Sequence, residues 1–346
     1  MPAGTRDAGR FPIDRENRRM TRSAGTAGKL FIIARHAFAA SLRQQGFVVI
    51  LVLVGGLIAL NPVFSKYTLD DDNKLLIDLG VSTVLMGGIA LAVFTASGVV
   101  RRELENGTVL TLATKPVGRG VLVLGRYAGI AAALGLAVWI WALVFLLGVR
   151  HGVLQTARDR PDWPVIAFGG GTAAIAFGIS ALVNYFAGGH FGATLAKLLA
   201  FLLAAGYGAV LFVAPDWSVQ RPGTDVAPQL LAAMLLALET SWLFAAIAMA
   251  CAMRLRQTPT LVITGVIVVL GLSSDHLFGR IADGSALARC AHAVIPNLQY
   301  FWIADALTQG HPVDARYLLL TGCYALLWIA AAVGIATALF QTERLR

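Results

Sequence analysis

Charge is what this chain has least of: Asp, Glu, Lys and Arg make up only 14% of its 346 residues. A soluble domain of this length needs many more ionised side chains to cover its exterior, so a surface that faces water all round is excluded. Cysteine is scarce as well. Cys251, Cys290 and Cys323 are widely separated, with no CxxC and no Cys/His cluster at ligand spacing, so neither a disulfide framework nor a metal site is supported. There is no GxxxxGK[ST] loop, no HExxH and no GxSxG, and six histidines lie scattered at His36, His151, His190, His276, His292 and His311. The chain is therefore expected to be no enzyme and to hold no cofactor. No repeat of about 20 to 50 residues is visible, which excludes a solenoid.

In place of charge there is apolar surface. Hydrophobic residues make up 57% of the chain and its mean hydropathy is +0.72, values that imply lipid as the solvent. Crossing a hydrocarbon core takes a helix of about 20 apolar residues. Runs of that kind fall at 46–64, 79–100, 121–149, 165–187, 193–214, 228–252, 258–275 and 316–340. The expected fold is an all-α, polytopic transmembrane helical bundle of about 6–8 spans. Gly169, Gly170, Gly171 and Gly178 weaken the fourth run, so 165–214 reads either as two spans or as one span with a partly inserted segment. Packing of helices through small residues accounts for the three adjacent glycines better than a phosphate loop does, since no strand precedes them.

The net charge of +9 does not indicate nucleic acid, because the Lys and Arg gather at the ends of apolar runs and in an N-terminal arm. Residues 1–28 read as a disordered basic arm. In 29–45, Leu30, Ile33, Ala34, Ala37, Phe38, Ser41 and Leu42 recur at helical spacing between Lys29, Arg35, His36 and Arg43, which predicts an amphipathic interfacial helix. The first strongly apolar run begins near Phe47, beyond the reach of a cleavable signal. Segments 1–45, 101–120, 253–257 and 341–346 carry 17 of the 28 Lys and Arg residues, so the positive-inside rule puts both termini in the cytoplasm. Arg158 and Arg160 fall on the other side. A transmembrane domain is expected over 46–340, with a short cytoplasmic tail at 341–346. Within the domain, the apolar and aromatic stretch Ala293 to Leu307 makes 276–315 an outer re-entrant or interfacial segment.

The most informative stretch joins the second run to the third: RRELENGTVLTLATKPVGRGVLVLGR, from Arg101 to Arg126. Arg101 and Arg102 anchor a helix end at the head groups, Glu103 and Glu105 continue it into water, and Gly107 permits a bend. Thr108 to Ala113 then form a second short helix that Pro116 limits. On the residues alone, an ordinary connecting loop carrying positive-inside charge accounts for the stretch equally well.

The run Glu103-x-Glu105-Asn106-Gly107-Thr108-x-x-x-Leu112-x-x-Lys115-Pro116-Val117-x-Arg119, followed by Leu124-Gly125-Arg126-Tyr127, resembles the cytoplasmic loop of ABC-2 type transporter permeases. An N-terminal elbow helix, and Ile295-Pro296-Asn297 ahead of a last span ending at Phe340, extend the resemblance towards both ends. The resemblance implies a membrane-spanning permease, an exporter in the plasma (inner) membrane, coupled to a separate cytoplasmic ATPase subunit. It also implies pairing with a second permease subunit, alike or different, with ATP and Mg bound by the partner ATPase. Glu103, Glu105, Gly107, Thr108, Lys115, Pro116 and Arg119 would form or brace the coupling element in the 101–120 loop. The family's common core has six spans, so 165–214 stands out as an extra apolar pair.

Ionisable groups inside spans are costly and point to function. Glu239 lies near the middle of 228–252, where a helix-to-helix hydrogen bond beside Thr240 or Ser241 is the ordinary explanation and a polar cavity or proton relay the functional one. Lys197 lies close enough to the end of its run to reach the membrane surface, Arg126 reads as a head-group anchor, and Asp275 and His276 as solvated loop residues. Two other readings of the whole chain stand beside the permease: an uncoupled channel or structural subunit, and a membrane-embedded lipid-modifying enzyme.

Overall fold

The computed structural model describes residues 25–66, 72–105, 118–154, 160–222, 228–279, 292 and 294–342. Among them the secondary structure is helical, with one isolated β-bridge between Val213 and Val219. In chain order the helices are α1 (Thr26–Leu42), α2 (Gln45–Ser65), α3 (Asp72–Glu105), α4 (Arg119–His151), α5 (Trp163–Ala187), α6 (Phe191–Leu211), α7 (Pro228–Ala252), α8 (Gln257–Leu272), α9 (Ala304–Thr308) and α10 (Ala315–Thr342). Seven of these, α2 to α7 and α10, are long and apolar enough to cross a membrane. The chain is a polytopic, all-α membrane protein.

Helix α8 departs from expectation. Its 16 residues rise only about 24 Å, short of a hydrocarbon core of about 30 Å. The following chain compensates for the short end: Leu298 N–H donates to the Gly271 carbonyl (3.1 Å) and Gln299 Nε2 to that of Leu272 (3.0 Å). Carbonyls at a helix C-terminus have no partner within the helix, so this returning segment satisfies groups that would otherwise meet lipid. Leu298, Phe301, Ile303, Ala304 and Leu307 are buried, which makes the segment a plug in one end of the bundle.

Burial separates a centre from a periphery. In the most apolar windows of α3, α4 and α7, 61%, 72% and 61% of residues are buried, against 22% in α5 and in α10. The central helices meet across Gly88, whose Cα faces the Ser241 hydroxyl of α7, and through the Tyr127 hydroxyl of α4, which donates to the Trp242 carbonyl (3.2 Å). Trp141 of α4 donates its indole N–H to the Leu51 carbonyl of α2 (2.9 Å), and Trp242 donates to that of Ala131 (2.9 Å). Without a hydrophobic driving force between helices in lipid, close packing and such hydrogen bonds hold a bundle together.

The first helix packs one side against the bundle. Its apolar stripe faces α4, where Gly125 and Gly129 leave room for it: a Cβ at Gly129 would lie 2.6 Å from that of Ala37, and one at Gly125 would lie 2.8 Å from the Ile33 Cγ2. Small residues let two helix backbones approach, and here they seat α1 against the start of the third span.

Helices α5 and α6 form a hairpin beside this bundle. Gly188 turns the chain at φ +62°, a left-handed C-cap that suits glycine, and α6 starts two residues beyond Gly189. Both members are helical over their full length, so 165–214 is a pair and not a single span with a partly inserted segment. The glycines at 169–171 serve two purposes. Gly169 packs on Leu147, as small-residue packing predicts, whereas a Cβ on Gly170 or Gly171 would meet nothing within 4 Å. Ile166–Gly170 adopt a π-turn.

Candidate functional site

Helices α3 and α4 carry the two ends of the family-like run. Their 34 and 33 residues rise about 50 Å each, some 20 Å more than the hydrocarbon core. Both therefore reach beyond the lipid, and the end where 105 and 119 emerge is also the end of α1. Glu103 and Glu105 belong to the last turn of the α3 backbone. Gly107, Thr108, Lys115 and Pro116 lie outside the described residues.

Arg119 has a defined contact at the far end of the loop. It is the first residue of α4, and its guanidinium Nη1 donates to the Gln341 carbonyl at the end of α10 (2.9 Å). Arg254, just after α7, donates through Nη2 to the Leu339 carbonyl (3.3 Å). Cations at a helix C-terminus meet both the unsatisfied carbonyls and the negative end of the helix dipole. The end of the last span is thus fastened to the starts or ends of α4 and α7 by two arginines. Sequence reasoning singled out Arg119 and missed its partner, because residues 222 positions apart leave no local signal.

Arg126 is no head-group anchor. Only 1% of it is exposed, and its guanidinium carbon lies 5.8 Å from the centre of the Phe340 ring. A cation over an aromatic face is favourable, more so away from water. Lys197 is exposed, as its place near the helix end implies, and with Arg43 and His190 it lines a pocket of about 200 Å³ between α1 and the α5–α6 turn.

Glu239 does not make the hydrogen bond that its neighbours offered. The Thr240 hydroxyl donates to the Leu236 carbonyl (2.8 Å) and that of Ser241 to Ala237 (2.7 Å), both within α7. The Glu239 carboxylate points at α10, where a Cβ added to Gly322 would come within 3.1 Å of Oε1. Among the described residues its buried Oε2 has no hydrogen-bond partner.

Two polar sites at the opposite end went unread in the sequence. Arg150, ending α4, pairs with Asp162 at 3.4 Å, each side chain 6% exposed, and also donates to the Val210 and Val213 carbonyls at the end of α6. Asp162 in turn accepts from the Val165 N–H (3.2 Å), capping α5. One arginine thereby ties α4 to both members of the hairpin. Asp275, expected to be merely solvated, accepts from Asn297 Nδ2 (2.7 Å) and meets His292 Nε2 (3.1 Å), while the Asn297 N–H donates to the Tyr324 hydroxyl (2.9 Å). The Pro296-Asn297 pair was the available signal for this junction. Among the described residues no three His, Cys, Asp or Glu side chains come together as a metal site.

No protein-family model matches the chain. No curated protein matches it either.

Proposed function

We propose that this chain is the permease subunit of an ATP-driven ABC-2 type transporter, an exporter of the plasma membrane with both termini in the cytoplasm. The observation that carries this reading is the run from Glu103 to Tyr127. Its surroundings support a coupling role. The run joins two helices that extend past the lipid, and its Arg119 grips the end of α10. Force applied to the 101–120 loop by a cytoplasmic ATPase would act directly on α3 and α4, two of the three most buried spans. The chain would supply the path, and the partner would bind and hydrolyse ATP. A second permease subunit would complete the complex.

The test is co-purification of the tagged chain from its native membrane, wild type beside the double variant Glu105→Lys, Thr108→Lys. The expected outcome is an ATPase subunit that accompanies the wild type and is lost from the double variant. An ATPase absent from both preparations rejects the proposal and leaves the uncoupled channel or the membrane enzyme. Retention by the double variant rejects the docking residues alone.

A further inference from the structure

An apolar groove of about 650 Å³ runs between α2, α4 and the α5–α6 hairpin. Its size falls in the range of ligand sites, about 300–1,000 Å³. One wall is Gly55, Gly56 and Ala59 of α2, and the facing wall is Gly169, Gly170 and Ala173 of α5. The missing side chains make the space, and the π-turn at Ile166–Gly170 lies in the second wall at that level. π-Turns inside helices are frequent at functional sites. The floor reaches buried residues, Leu51, Leu147 and Leu203, while Val52, Val63 and Ile166 at the mouth are exposed. The groove thus enters the bundle and opens sideways to lipid.

Its polarity is confined to one end. Lys66, exposed just beyond α2, and His151, the last residue of α4, line that end, and among the described lining residues there is no carboxylate. The buried Nδ1 of His151 has no hydrogen-bond partner among the described residues. From Leu51 to Lys66 the groove follows α2 for about 22 Å, enough for the hydrocarbon depth of one leaflet, about 15 Å, with the basic end at head-group level. An apolar slot of leaflet length whose ionisable side chains among the described residues, one lysine and one histidine, lie at its interfacial end matches a lipid tail below an anionic phosphate.

We propose that this groove binds one acyl chain of an anionic phospholipid, with the lipid phosphate held at Lys66 and His151. This does not depend on the transporter reading. The lipid belongs to the leaflet at the end of the bundle opposite α1.

The experiment uses the full chain in phosphatidylcholine nanodiscs, doped either with phosphatidylglycerol or with phosphatidylcholine whose acyl chain carries a photoactivatable diazirine. After irradiation, adducts are mapped by peptide. Phosphatidylglycerol is expected to label 51–66 and 165–177 well above the lipid-facing side of α10 at Leu319, Leu326 and Leu327, and phosphatidylcholine less so. Lys66→Gln should lower the phosphatidylglycerol enrichment about fivefold, the factor that corresponds to roughly 1 kcal/mol for one lysine near an anionic surface. It should leave phosphatidylcholine labelling unchanged. Gly56→Phe and Gly170→Phe, at sites where a Cβ meets no atom within 4 Å, should abolish enrichment for both lipids while α10 labelling persists. Even labelling across all lipid-facing helices, equal labelling by the two lipids, or enrichment that survives both phenylalanine variants would overturn the proposal. Should the phenylalanine variants not fold, the exposed Lys66→Gln change decides by itself.

Discussion

Arg150 carries the heaviest structural duty of any single charge described. It is nearly buried, paired with Asp162 and hydrogen-bonded to the carbonyls of Val210, in α6, and Val213, just beyond it, so its removal strands a carboxylate away from water. Breaking a buried pair from one side costs about 3–5 kcal/mol. Arg150→Met, which keeps the apolar stem, is expected to lower the melting temperature in detergent, and Arg150→Met with Asp162→Asn to recover part of the loss. Equal melting temperatures for wild type and Arg150→Met would show that the tie is not structural. Glu239 offers a second test. The seam between α7 and α10 closes over Gly322, so Gly322→Ala should destabilise, and Glu239→Ala should relieve that effect. A double-mutant cycle is expected to give a coupling of about 0.5–3 kcal/mol, as for residues in contact. Additive effects would mean that the two do not touch. Glu239 itself was legible in the sequence, because an acid in an apolar run is conspicuous wherever it points. Its direction, towards a glycine and away from Thr240 and Ser241, was not.

Among the elements, α1 shows how a correct local pattern underdetermines a role. Its stripe of Leu30, Ile33, Ala34, Ala37 and Phe38 is plain from spacing, and an amphipathic helix beside a membrane is the ordinary inference. Part of the stripe also meets a protein surface, because Gly125 and Gly129 on α4 open a shallow seat for it. Those two glycines look like any others in an apolar run until the partner helix is known. Gly129→Leu is expected to unseat α1, costing about 1–3 kcal/mol as overpacking does. Protease sensitivity between α1 and α2 should rise with it, and unchanged protection would contradict the seat. The same limit applies to α8. Hydropathy marks the run, yet not that its α-helix stops at Leu272, where Leu298 and Gln299 return to its last carbonyls, or that Asp275–Gly279 follow as a π-turn.

At the scale of the whole molecule, the spans alternate direction, so α1, the 105 and 119 ends, the Gly188 turn, Arg254 and the end of α10 gather on one side. The Trp217 turn, the Arg150 tie and the segment around Asn297 gather on the other. With both termini in the cytoplasm, as proposed above, the first group lies inside. In a variant without the native cysteines, a membrane-impermeant thiol reagent applied to intact cells should label a cysteine at Gln220 and spare one at Gln257. The reverse pattern would invert the orientation.

Hydropathy and periodicity are local properties, summed over neighbours in the chain. They were enough to determine lipid as the solvent, an all-helical fold, the positions of seven of the eight expected spans and the amphipathic face of α1. In a bilayer every backbone polar group must be satisfied within a helix, which leaves apolar runs little freedom. The tertiary structure alone decided which charge meets which partner: Arg119 at Gln341, Arg126 over Phe340, Arg150 at Asp162, and Glu239 towards Gly322. It also decided that missing side chains on α2 and α5 face each other and leave a groove. Such pairings depend on helix rotation and depth, which in lipid are set by steric fit between distant segments, and that fit leaves no periodic trace in the chain.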